Sequence, residues 1–134
     1  MESQIEFAPL FEAAKAARTQ AYAPYSKFAV GAALLVESGA IFSGCNIENV
    51  SLGLTICGER AAVFSAIRAG EYNFVAIAIV ADIDPPAAPC GACRQVLAEF
   101  SKDLVVVSEG AGGQRQVWDL ASLLPAAFVT FSGL

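Results

Sequence analysis

Charge is the scarce ingredient of this sequence. Asp, Glu, Lys and Arg supply 16% of the 134 residues, against 56% for the hydrophobic set, a balance that excludes a disordered or solvating chain. So little charge on a small protein also points to apolar surface covered by other subunits. Basic residues are the rarer sign, 8 against 13 acidic, for a net charge of −5. They stand singly along the chain, from Lys15 and Arg18 to Lys102 and Arg115. Nothing here could neutralise a run of phosphates, so a small-molecule partner is expected and a nucleic acid is not. Two further absences matter. The start "MESQIEFAPL" lacks a basic stretch followed by an apolar one, and no apolar run approaches membrane-spanning length. The expected compartment is therefore the cytoplasm, where disulfides seldom persist. The four cysteines then speak for metal binding, catalysis or burial. No repeat, low-complexity tract or linker interrupts the chain, and one domain spanning residues 1–134 is expected.

Apolar periodicity gives the elements. "IEFAPLFEAAKAARTQA" aligns Ile5, Leu10, Ala14, Ala17 and Ala21 on one face and predicts a helix. Pro24 ends that pattern in the loop "AYAPYSK". "FAVGAALLVESGAIFSGCN" reads as two strands turning near Glu37-Ser38-Gly39, where Gly39 can take a positive φ. After the loop "IENVSLGL", helical spacing runs from Thr55 to a stop at Gly70. The almost wholly apolar "FVAIAIVA", residues 74–81, is expected to be a central strand covered on both faces. A second helix should begin near Cys90 and pass through Val96, Leu97 and Phe100. "LVVVSE" is a strand, "AGGQ" a turn into "RQVWDL", and "DLASLLP" a short helix with Asp119 as N-cap. Helices alternating with apolar strands argue for a layered α/β sandwich.

The chemistry concentrates in "TICGER" (55–60) and "APCGACRQ" (88–95). Cys90-Gly91-Ala92-Cys93 at a helix mouth lets two thiolates converge on one ion, yet by itself it fits a redox dithiol equally well. Cys57, also at a helix start, favours the metal. Three cysteines on two helix mouths leave one position of a tetrahedral zinc open, as a catalytic site requires. Cys45 ends a strand and is expected to be buried as a small hydrophobe instead of completing a fourth thiolate. Three thiolates around Zn²⁺ sum to −1, a poor Lewis acid. Two helix N-termini aimed at the sulfurs, and Arg60 donating to one of them, would offset that charge. Glu59 alone would pass as a carboxylate complementing a helix dipole. Within C-x-E…P-C-x-x-C, however, it falls where zinc deaminases carry a general acid/base that is not a ligand.

On these residues the sequence resembles the cytidine deaminases of the small, homotetrameric, three-cysteine zinc type. "YAPYSKFAVGAAL" (22–34), "GCNIENVSLGLTICGERAA" (44–62), "PCGACRQVLAEF" (89–100) and "LLPAAF" (123–128) match family segments in the family's order, over nearly the whole chain. The resemblance implies a three-layer α/β/α sandwich on a mixed sheet of about five strands. It implies one zinc per subunit held by Cys57, Cys90 and Cys93, with Glu59 moving protons for water attack on C4 of cytidine or 2′-deoxycytidine. It further implies that Phe28 packs on the pyrimidine and that Asn46 and Glu48 hold the ribose. The backbone of Gly58 and Pro89 would contact the base, and Phe128 would reach a neighbouring subunit's site in a homotetramer. Arg94 and Gln95 are assigned structural roles. Leu52 stands where the family usually has a tyrosine, so one hydroxyl donor is missing. A deaminase of a cytosine antibiotic such as blasticidin S is the nearest alternative. A polynucleotide deaminase and a structural zinc or redox protein are the more distant ones.

Overall fold

A computed structural model describes residues 5–131. Five strands form one sheet in the order β2-β1-β3-β4-β5, with β1 at Val30–Val36, β2 at Ile41–Cys45, β3 at Phe74–Ala81, β4 at Val105–Glu109 and β5 at Arg115–Asp119. The β3/β4 pair is parallel and the other neighbours are antiparallel, so the sheet is mixed, as expected. Among the described residues, four α-helices accompany it, α1 (Phe7–Arg18), α2 (Gly58–Arg68), α3 (Gly91–Phe100) and α4 (Leu120–Leu123), with a 3-10 turn at Leu52–Leu54.

Strand alternation sorts the core into two layers. One face of the sheet presents Leu34, Val36, Ile77, Ile79 and Val106 to the α2 and α3 layer, where Ala62, Val63, Ala66 and Leu97 meet them. The other face presents Ala33, Ala76 and Ala78, together with Val80, Val105 and Val107, to the layer of Leu10, Phe11 and Ala14 on α1. The alanines there let α1 lie close to the sheet. At Gly31 the approach is extreme: a Cβ would stand 1.9 Å from the Ala14 carbonyl oxygen, so no other residue fits.

The β1–β2 hairpin turns at Gly39 with φ +94°, the conformation glycine was expected to supply. The apolar run 74–81 forms β3, which is central and buried on both sides, as expected. Two details differ from the sequence reading. Asp119 occupies the N-cap position of α4 but its side chain makes no capping bond, because β5 runs straight into the helix and keeps Asp119 in the ladder opposite Val105. Cys45 is only half-buried, since β2 is an edge strand with a partly open face.

Candidate metal centre and active site

Parallel β3 and β4 carry their following loops to one edge of the sheet, the usual position for a site in an α/β fold. Cys57 and Cys90 occupy the N-cap positions of α2 and α3, both in extended conformation, so the free N–H groups of two helix mouths face the same region. Gly44 makes this possible for α2. A Cβ on Gly44 would lie 2.6 Å from the Ala62 nitrogen and 2.7 Å from the Gly58 oxygen; only a glycine lets the first turn of α2 rest on β2.

The three sulfurs converge. Cys57 Sγ and Cys90 Sγ are 3.7 Å apart, Cys90 Sγ and Cys93 Sγ 3.4 Å, and all three lie within 4.8 Å of one another. A tetrahedral zinc with Zn–S bonds of about 2.3 Å places its sulfurs about 3.8 Å apart, so this donor set fits that ion. With no histidine in the chain, the set is all sulfur. Cys45 is not part of the cluster.

Arg60 Nη2 donates to Cys57 Sγ at 3.3 Å, while Arg60 Nε is buried with no partner. The hydrogen bond this guanidinium makes goes to the metal-facing sulfur of Cys57. A hydrogen bond from Cys93 draws the Cys57 thiol down to about 5, with Arg60 adding to the effect and burial opposing it. The same bond, together with burial, pushes the Cys93 thiol up, and the Cys57 sulfur in turn raises the Arg60 guanidinium. One negative sulfur is thus stabilised by the protein alone. A dication converts the remaining thiols to thiolates by displacing their protons.

Glu59, the second residue of α2, is 5% exposed. Burial pushes its carboxyl up to about 7. Its own backbone N–H and Arg60 pull the other way, and the Cys57 sulfur reinforces the rise. A carboxyl near neutrality beside an open metal position can take and return a proton at ordinary pH.

The polar residues assigned to the sugar are already at work within the chain. Asn46 accepts from Val30 N at 2.9 Å and donates to the Phe28 carbonyl at 2.7 Å, pinning the entry to β1. Glu48 Oε1 accepts from the backbone N–H of Tyr25 and Ser26 at 2.9 and 3.1 Å, and Oε2 accepts from the Ser26 hydroxyl. That hydroxyl leads the causes that hold the Glu48 carboxyl below its ordinary range. Each side chain keeps spare capacity: one amide N–H on Asn46 and lone pairs on Glu48 Oε2. Phe28 follows Lys27, whose left-handed backbone (φ 61°) turns the chain there, and its ring is 37% exposed. Gly58 and Pro89 are buried; the Pro89 carbonyl accepts from Arg94 Nε at 2.7 Å. Phe128 is 61% exposed. Its ring meets Phe131 edge-on at 5.3 Å between centroids, and its carbonyl accepts from Gln95 Nε2 at 2.7 Å. Ser26, and the tie from Arg94, escaped the sequence reading. A serine two residues past a proline in a loop carries no signal of a carboxylate 22 positions away.

A groove of about 690 Å³ lined by Glu37, Phe74, Val105 and Asp119 lies at the opposite end of the sheet and contains none of the cysteines. Chemistry, not concavity, marks the site.

Comparison with known proteins follows the same line. The family described as "Cytidine and deoxycytidylate deaminase zinc-binding region" matches residues 6–109. The chain is 51% identical over 120 residues to a cytidine deaminase of Sporosarcina psychrophila, covering 89% of this chain and 88% of that one. A cytidine deaminase of Halalkalibacterium halodurans is 50% identical over 120 residues, covering 89% and 91%. The crystal structure of cytidine deaminase from Burkholderia pseudomallei superposes with a TM-score of 0.89 at 52% identity, over 92% of this chain and all of that one.

Proposed function

Because the chain belongs to the cytidine and deoxycytidylate deaminase family, we propose that Cys57, Cys90, Cys93 and Glu59 form its catalytic centre. It is a zinc-dependent hydrolytic deaminase of cytidine. 2′-Deoxycytidine is a second substrate on this reading, and the products are uridine or 2′-deoxyuridine and ammonia. The three thiolates would hold one zinc, which would supply the Lewis acidity that makes water nucleophilic near neutral pH. The remaining steps belong to side chains. Glu59 takes a proton from the attacking water and gives it to N3 of the pyrimidine as the water oxygen bonds to C4. It then carries the second proton of that oxygen to the amino nitrogen, the C4–N bond breaks, and ammonia leaves. A carboxyl near neutrality suits a group that must be base and then acid. Arg60 and the two helix N-termini withdraw charge from the sulfurs, which keeps the metal electrophilic.

Phe28 stacks on the base, backbone groups of Gly58 and Pro89 align its edge, and the free capacity of Asn46 and Glu48 receives the ribose hydroxyls. A sugar-binding pair favours a nucleoside over an antibiotic that carries the same base. The chain acts as one cytoplasmic catalytic domain, one sheet being shared by both core layers. Among the described residues no helix is long and apolar enough to cross a membrane. Exposed Ile47, Val50, Leu52, Leu54 and Phe64, on α2 and the segment before it, support a homotetramer whose subunit contacts complete each site and bring Phe128 of one chain to its neighbour. Light scattering tests the assembly.

The observation that carries the function is the convergence of three sulfurs beside a buried Glu59. Its test is zinc content and turnover measured on one sample. Stoichiometric zinc, loss of cytidine absorbance and an equal release of ammonia are expected; zinc without turnover would sink it.

A further inference from the structure

Arg94 is the first residue after the third ligand and lies in the first turn of α3. Its side chain spans two otherwise unconnected pieces of backbone. Nε donates to the Pro89 carbonyl at 2.7 Å, and Nη1 donates to the Leu123 carbonyl at 2.8 Å. Its backbone N–H donates to the Cys90 carbonyl at 3.0 Å. One residue thus grips the chain on both peptide units that flank Cys90. This matters because Cys90 is the exposed member of the trio and sits at the N-cap, where the first helical hydrogen bond holds its own carbonyl but the peptide unit before it lies outside the ladder. The second end of the fork satisfies a carbonyl at the C-terminus of α4, which has no partner within its own helix. Beyond it the chain continues without regular structure through residue 131 and is caught again by Gln95 at Phe128.

We propose that Arg94 is a positioning residue for the metal centre, holding Cys90 in ligating register through the Pro89 carbonyl and anchoring the C-terminal segment to the same support through Leu123. This rests on the zinc-site reading above but not on cytidine being the substrate. A guanidinium is suited to the task because its donors diverge in a rigid plane. A lysine ammonium keeps the charge but offers no such two-ended fork. Groups behind the ligands are worth roughly 10–100-fold in metal affinity or activity.

The test is zinc transfer from the intact protein to a chromophoric chelator, read for wild type, Arg94→Lys, Arg94→Gln and Gln95→Ala where circular dichroism shows each to be folded. Both Arg94 variants should release zinc about 10–100-fold faster. Gln95→Ala, which loosens the C-terminal segment but leaves the Pro89 tie intact, should release it at the wild-type rate. Wild-type release from either Arg94 variant, or equally fast release from Gln95→Ala, overturns the proposal. A second measurement needs no substitution. Removing zinc from the native protein should shift the Arg94 Nε–H resonance and leave that of Arg18, which donates to the Ala29 carbonyl, in place. An unmoved Arg94 signal overturns the proposal as well. Neither readout involves cytidine, so failure here and failure of the assigned reaction are separable.

Discussion

The two faces of the sheet each bury a glutamate, and they treat it in opposite ways. On the α1 face, Glu109 ends β4 between Lys15 Nζ at 2.9 Å and Arg115 Nε at 3.0 Å, and Arg115 in turn lies 4.0 Å above the Phe11 ring. Burial alone would raise the Glu109 carboxyl, but its two cationic hydrogen-bond donors outweigh it and hold the group below its ordinary range. On the α2 face, Glu59 is as deeply buried with no cation donating to it, and it is pushed up to about 7. Low solvent exposure is common to both; the cationic partners of Glu109 make the difference. A paired carboxylate is spent on the fold, and an unpaired one remains available for proton transfer.

The largest effect expected from disturbing this contrast is on the α2 face. Cys93→Ser removes a fully buried ligand and should leave neither stoichiometric zinc nor detectable turnover, measured by atomic absorption and by cytidine absorbance. Glu59→Gln separates metal from proton. Zinc should stay stoichiometric while kcat falls roughly 10²–10⁴-fold, the range of general acid–base catalysis; a smaller loss would reduce Glu59 to a structural group like Glu109. Glu48→Gln should raise KM for cytidine about tenfold with a lesser change in kcat, as for loss of one charged hydrogen bond at a binding residue. The smallest effect lies on the α1 face. Glu109→Gln should cost on the order of 1 kcal/mol, seen as a melting temperature a few degrees lower, with kcat unchanged. Because the folded-state carboxyl is depressed, its stabilisation is complete above the unfolded carboxylate value and disappears as pH falls through the lower folded value. Melting curves of wild type and Glu109→Gln should therefore converge in acid.

The sequence makes one side of this contrast legible and hides the other. Cys57, Glu59, Cys90 and Cys93 sit in two short motifs whose spacing is itself the chemistry, so their convergence could be expected before any fold was known. The apolar run 74–81 and the turn at Gly39 were equally plain, because strand burial and positive φ are local demands on residue type. Glu109 looked like the polar end of a strand. Its cations come from α1 and from the far side of a hairpin, and only the register of β4 with β5 brings Arg115 opposite it. The same reason hid Ser26 beneath Glu48 and Arg94 behind Cys90. Long-range hydrogen bonds leave no periodic trace, and a cap such as Asp119 is lost when the preceding strand claims the residue.

The spacing of the ligands along the chain has a consequence of another kind. Cys57 and Cys90 are 33 residues apart, and α2 and β3 lie between them. An ion gripping both ties the ends of that loop together in the folded chain, a site the unfolded chain does not offer preformed. A covalent cross-link of the same span would be worth about 4 kcal/mol in chain entropy, a large share of a small domain's stability. The cofactor is therefore also a suture across α2 and β3. The amount of this protein that survives in a cell should track the supply of metal, even before a single nucleoside is turned over.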